Sequence, residues 1–170
     1  MASIIGVETL QHTNGTTAAT IDSSGVISQP AIPCAKVVLT TSNSQDTSNP
    51  YQPTTETVIK WDRVDINQGS CYSSSTGRFT ATKAGIWELN ISVLTATALT
   101  ENFDLHIYKN NSNSLKEGIY SSVDSQHRQV SGTFLFDLSE NDYIDVRYIG
   151  GGIYIHGTNH FNTVTWKFIG

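Results

Sequence analysis

Large apolar residues return at every second position along most of this chain. The clearest run covers residues 85–93, where Trp87, Leu89, Ile91 and Val93 alternate with Glu88, Asn90 and Ser92. Period two describes a strand with one buried face. Phe103, Leu105 and Ile107 alternate in the same way with Asp104, His106 and Tyr108, and Gly132, Phe134, Phe136 and Leu138 share a further face. Ile144, Val146 and Tyr148 follow, then a short strand at Ile153 and Ile155, and Val164, Trp166 and Phe168 close the chain. Earlier strands are expected over residues 35–41 and 58–66, the second carrying Trp61 and Val64. No segment has a convincing helical period.

Short turn signals separate these runs: Asn67-x-Gly69, Thr76-Gly77, Ala84-Gly85, residues 109–113, residues 139–142 and Gly150-Gly151-Gly152. Connections this short join antiparallel strands, because a parallel pair needs a long crossover. Roughly eight to ten strands with such spacing predict an all-β fold, an antiparallel two-sheet jelly roll. Residues 1–30 have a different texture. Asn14-Gly15 and Ser24-Gly25 divide Thr-rich strand candidates that are too short to be stable alone. They are expected to form a short β arm that pairs with another chain or docks on a partner. Pro30 and Pro33 interrupt the pattern and set the boundary, giving an anchor arm over 1–30 and a head domain over 31–170. Residues 41–57 are the longest expected loop, stiffened at Asn49-Pro50 and Gln52-Pro53.

Charge changes the picture in one respect. Only 15% of residues are charged, against ~25% in ordinary domains, so Ser, Thr and Asn must supply the polar surface. With a net charge of -5 and scattered Lys and Arg, no basic stripe exists to neutralise phosphates, and nucleic acid is not an expected partner. No apolar run is long enough to span a bilayer, and the N-terminus does not read as a signal peptide. Assembly in a cytoplasm without membrane insertion is the expectation. Cys34 and Cys71 admit one pairing, lack metal-type spacing, and read as two buried thiols.

Trp61, Asn67, Gly69, Tyr72, Thr76, Gly77, Phe79, Gly85 and Trp87 stand in the order and spacing of a family signature. They resemble the complement globular heads, the jelly rolls related to tumour necrosis factor. Lys109-Asn110, Ser131-Gly132 with Phe134 and Leu138, and the turn before Tyr143 and Val146 look like that family's later strands. Three departures stand out. Leu89 and Ile91 occupy positions where aromatics are usual, Asn141-Asp142 replaces a common Gly-Asp, and Trp166 stands where a small residue is common. The signature specifies fold, not chemistry. The resemblance further implies a homotrimer in which one sheet of each protomer supplies the interface, with Tyr108, Tyr148, Trp166 and Phe168 as candidates for the seam. No cofactor is expected: related heads sometimes hold calcium, and an ion on the trimer axis would draw on Asp124, Asp142 and Asp145, but these lack an EF-hand-like cluster and read as solvated surface.

Residues 9–26 are similar, in a low-complexity way, to short β segments preceding head modules in structural proteins of tailed bacteriophages. The expected function is then a virion surface protein, a short fibre or capsid decoration. Residues 1–30 would bind a capsid or tail protein, and the head would act in adhesion to a host-surface glycan or protein, or in particle stabilisation. The alternative is a free lectin-like or protein-ligand head, for which Tyr51, Tyr120 and Tyr154 are candidate contacts. His156 and His160 have the spacing of a helical metal pair, but the flanking Gly157 and Asn159 read as a turn. No metal site within one protomer is expected. Nor is catalysis, since no nucleophile elbow or phosphate-cradling loop is present.

Overall fold

The structure, a computed structural model, describes residues 7–11, 13, 15, 17–28, 32–40, 53–96, 102–122, 127–153 and 161–170. The chain divides into two compact units, Met1–Ile32 and Pro33–Gly170. In the first, β1 (Thr9–Gln11), β2 (Thr17–Ile21) and β3 (Ile27–Ser28) form an antiparallel sheet in the order β1-β2-β3. Asp22 organises the second turn: its Oδ1 accepts from the backbone N–H of Ser24 at 2.8 Å and of Val26 at 2.9 Å. Such side-chain capping is why Asp recurs at turns.

The second unit is a sandwich of two antiparallel five-stranded sheets. One runs β11 (Gln129–Leu138), β8 (Gly85–Leu94), β13 (Thr163–Phe168), β4 (Cys34–Val38), β5 (Arg63–Gln68). The other runs β10 (Ser112–Ser121), β9 (Phe103–Lys109), β12 (Tyr143–Gly150), β7 (Arg78–Thr80), β6 (Tyr72–Ser73). The described residues contain no helix, and the architecture is the all-β jelly roll that the alternation predicts.

Three local expectations need correction. The strand expected over 58–66 begins only at Arg63. Upstream of it the chain lies against the other sheet, where Ile59 N donates to Val146 O at 2.9 Å and Val58 bridges Arg147. The chain therefore crosses between sheets near Trp61. Ile153 makes an isolated bridge with Thr95 in place of a strand, and Ile155 lies outside the described residues. The third difference is β10, ten residues long, where the pattern reading placed no strand.

The alternation of β8 decides which side of its sheet is core. Trp87, Leu89, Ile91 and Val93 are fully enclosed and meet Leu105, Ile107, Ile144 and Val146 of the opposing sheet in one buried cluster. Aromatic rings fill one end of it. Trp87 and Trp166 stack at 4.9 Å with 16° between their planes, Phe79 and Phe136 lie 6.2 and 6.3 Å from Trp166, and Tyr72 lies 4.6 Å from Phe79. Offset and tilted pairs of this kind add to the burial of their large area.

Gly77 shows why the signature needs glycine at that turn. Its φ is +73°, and a Cβ there would sit 2.7 Å from both the Ile59 carbonyl oxygen and Val58 Cγ1. Steric conflict and the left-handed backbone act together, so Gly77→Ala should destabilise the fold by about 1–3 kcal/mol or more. Urea unfolding checks this, and a loss under about 0.5 kcal/mol, as at an unconstrained surface position, would contradict it.

Candidate interaction surfaces

The outward face of the β11-β8-β13-β4-β5 sheet is built by the other half of the alternation. Asn90 lies opposite Thr133 and Thr165, Ser92 opposite Ser131 and Thr163, and Glu88 opposite Leu135 and Lys167. These rows form a ladder of hydroxyl and amide groups. Asn90 Nδ2 donates to Thr133 Oγ1 at 2.7 Å, and Gln129 Nε2 donates to Ser92 Oγ at 2.7 Å. Two ion pairs close on the face itself, Lys167 Nζ lying 2.9 Å from Glu88 Oε1 and Arg63 Nε 2.8 Å from Asp65 Oδ1, while Asp137, opposite Ile86 near the end of β11, stands exposed. Leu135 is 62% exposed among these polar groups, and Ile86, Val64 and Ile66 are also exposed on this sheet. Leu135 is legible in the sequence as the one large apolar residue on the polar side of its strand.

The other sheet turns a different surface outward. Asp145 is fully buried there, although it points away from the core. Arg147 covers it, donating from Nε at 2.7 Å and Nη2 at 3.2 Å, while its guanidinium lies 4.0 Å from the Tyr108 ring centroid and Nη2 also donates to Asn111 Oδ1 at 2.6 Å. The hydrogen bonds that Arg147 donates to Asp145 raise the Arg147 pKa further, against the desolvation that opposes it. Next to this group, Asp142 accepts from Lys109 Nζ at 2.8 Å, Asn110 Nδ2 at 2.7 Å and Ser139 N at 3.0 Å. Lys109 first and Asn110 second hold its carboxyl below the usual range. Asp142 and Asp145 are thus consumed by cationic and amide donors, an arrangement that does not fit a calcium ligand set. Among the described residues no three His, Cys, Asp or Glu side chains gather to hold a metal. Asp124, His156 and His160 lie outside the described residues.

The seam candidates occupy three environments. Trp166 and Tyr148 are enclosed by their own protomer, Tyr148 donating from its hydroxyl to Gly151 O at 2.8 Å. A neighbouring chain has no surface of either to cover. Tyr108, on the outward face of β9, is as buried as Tyr148 because Arg147 covers it, and Phe168 is half-buried, its ring edge-on to Trp87 at 5.4 Å. The signature residues, in contrast, act together. Trp61, Tyr72, Phe79 and Trp87 are buried, and Gly69, Gly77 and Gly85 all have positive φ. The Asn67 carboxamide closes the turn after β5, accepting from Tyr72 N at 3.0 Å and donating to Tyr72 O at 2.9 Å. Both cysteines are free thiols. Cys34 is half-buried instead of buried, because its strand reaches the sheet end, whereas burial pushes the Cys71 thiol up to about 11.

A shallow groove of about 610 Å³ runs between the edge strands β10 and β11, lined by Gly118, Tyr120, Gln129, Ser131 and Thr133 among others. Tyr120 is 63% exposed, while Tyr51 and Tyr154 lie outside the described residues. Near this edge Glu117 pairs with Ile107, so its side chain faces inward between Leu115 and Ile119. Its Oε2 is buried with no partner among the described residues, and burial raises its pKa. A carboxyl with a raised folded pKa binds its proton more tightly in the native state than in the unfolded chain. Stability is therefore fully present below the ordinary carboxylate range and is lost as pH rises through the folded value. Glu117→Gln should accordingly raise the thermal midpoint at pH 7 and change it little near pH 4. Equal effects at both values would show that ionisation is not the cost.

Residues 42–166 match the C1q domain. The chain belongs to the C1q domain family. Solved structures share its fold at low identity. The globular domain of zebrafish complement 1qA protein is 13% identical, with a TM-score of 0.58 over 81% of this chain and 96% of that one. Eiger TNF from S. frugiperda is 8% identical, with a TM-score of 0.59 over 82% and 93%. Murine APRIL is 13% identical, with a TM-score of 0.55 over 81% and 99%. No curated protein sequence matches. The described residues of this C1q domain present three outward features: a sheet face of hydroxyls and amides, a groove with an exposed tyrosine, and a closed ionic cluster.

Proposed function

We propose that this C1q domain is a homotrimeric, non-enzymatic binding head. The observation that carries the reading is the outward face of the β11-β8-β13-β4-β5 sheet. Its central rows are hydroxyls and amides, its ion pairs are internally closed, and Leu135 and Ile86 stand exposed. Charge depletion with isolated apolar contacts suits a surface covered by another protein copy, since unpaired charges would be costly there. Light scattering of the full chain should give the mass of three copies. Asn90→Lys with Leu135→Lys should return it to one copy with an unchanged circular dichroism spectrum, and a monomeric wild type would overturn the reading.

The head belongs, in this proposal, to a virion surface protein, a short fibre or capsid decoration assembled in the host cytoplasm. The resemblance of residues 9–26 to phage β segments supports it, and the Met1–Ile32 unit would be the attachment to capsid or tail. A second reading rests on Tyr120, whose ring stands exposed among polar groups of the β10–β11 groove. An aromatic face flanked by amides and hydroxyls is suited to a carbohydrate ring, and a glycan array on wild type and Tyr120→Ala tests it. Binding lost in the variant supports a lectin-like head, whereas binding equal in both would place the ligand elsewhere.

A further inference from the structure

We infer that the N-terminal sheets of the three chains pack on one another through a shared apolar face, making a closed β stalk of this protein's own material. The inference rests on the trimer reading above and adds what the arm does within it. Its basis is the register of the first unit. Leu10 pairs with Ala19, and Ile21 pairs with Ile27, so these four residues lie on one side of the sheet. Thr9, Thr20 and Ser28 form a single row on the other. The sheet is therefore two-sided in the manner of a structure with one dry face. Only Ala19 is buried: Leu10 is 49% exposed and Ile27 is 60% exposed. Strands of three, five and two residues cannot cover that face themselves.

Area and charge decide the occupant. The two half-exposed aliphatic side chains offer on the order of 200 Å² per copy, far below the ~800 Å² per partner of a stable complex between free proteins. Such a patch is too small to recruit a protein from solution by itself, so attachment to a capsid or tail would use the other surfaces of the arm. Chains already joined through their heads present it to one another at an effective concentration in the millimolar range, at which weak contacts suffice. Residues 1–32 contain no Lys or Arg, and their only acidic residues are Glu8 and Asp22. The Asp22 carboxylate is turned into its own turn. The face thus lacks a charged anchor for a foreign partner, and identical copies meet on it without ion pairs to satisfy.

Cross-linking of the full chain tests this. In a Cys34→Ser background, single variants Leu10→Cys and Ile27→Cys report the apolar face, and Thr20→Cys reports the hydroxyl face of the same sheet. Dilute protein is treated with a short bis-maleimide, and covalent dimers are scored on a denaturing gel beside the native mass. Linking at least tenfold faster at positions 10 and 27 than at 20 is expected. Equal rates on both faces would mean the arms are merely near each other and would overturn the inference. Trimeric mass with no interchain link at any position would also overturn it while leaving the trimer reading intact, and would point to the capsid or tail as the cover. A monomeric mass would instead remove the trimer reading itself.

Discussion

Trp166→Ala should cost the head about 3–5 kcal/mol, the usual range for a fully buried aromatic. The loss belongs at the upper end because the site is unable to collapse. Trp166 is fully enclosed, stacks on Trp87 and has Phe79 and Phe136 at its edges. Its strand is hydrogen-bonded on both sides, to β8 and β4, so the backbone is not free to move in and fill the void. The neighbours directly opposite are Leu89 and Ala35, neither large enough to reach across. Its Nε1 also donates, at 3.4 Å, to Thr80 O, which would lose that donor. Urea unfolding at neutral pH measures the cost, and a loss below about 1 kcal/mol would refute this account of the packing. Leu89→Phe added to Trp166→Ala should recover part of it, because volume is restored across the same pair.

That pair also shows how far the sequence could be read. The signature residues and the alternation of β8, β9 and β12 identify the fold because each is a local pattern with a local cause. Leu89 and Trp166 looked like separate departures from the resemblance, one smaller and one larger than usual. Register makes them opposite halves of one exchange, Trp166 lying directly across from Leu89, and registers are set by long-range pairing that no local pattern carries. Asn141 was a milder case. It has φ +72° where the family commonly has glycine, and asparagine is among the few residues that adopt that conformation readily. The missed strand β10 has a different reason. It is an edge strand whose inward positions alternate Leu115, Glu117 and Ile119, and a charged residue in the middle erased the pattern. The proposed interaction face is the least legible of all, since Asn90, Thr133 and Thr165 become neighbours only through pairing between strands distant in sequence.

Asp145→Ala is expected to cost about 3–5 kcal/mol, comparable to losing a large core side chain, because it leaves a mostly buried cation unpaired. Asp145 is 0% exposed at its side chain and Arg147 only 12%, so water is poorly placed to replace the lost carboxylate. Arg147 would keep its stacking on Tyr108 and its bond to Asn111, which holds the guanidinium where no anion remains. Arg147→Met should cost a similar amount by stranding Asp145. The informative variant removes both charges. Asp145→Val with Arg147→Met exchanges an ion pair for apolar groups and should cost far less than the two single changes added together, since desolvation of the pair offsets most of its attraction. Additive losses in the double variant, measured by urea unfolding beside both singles, would mean that the two residues act independently despite their 2.7 Å contact.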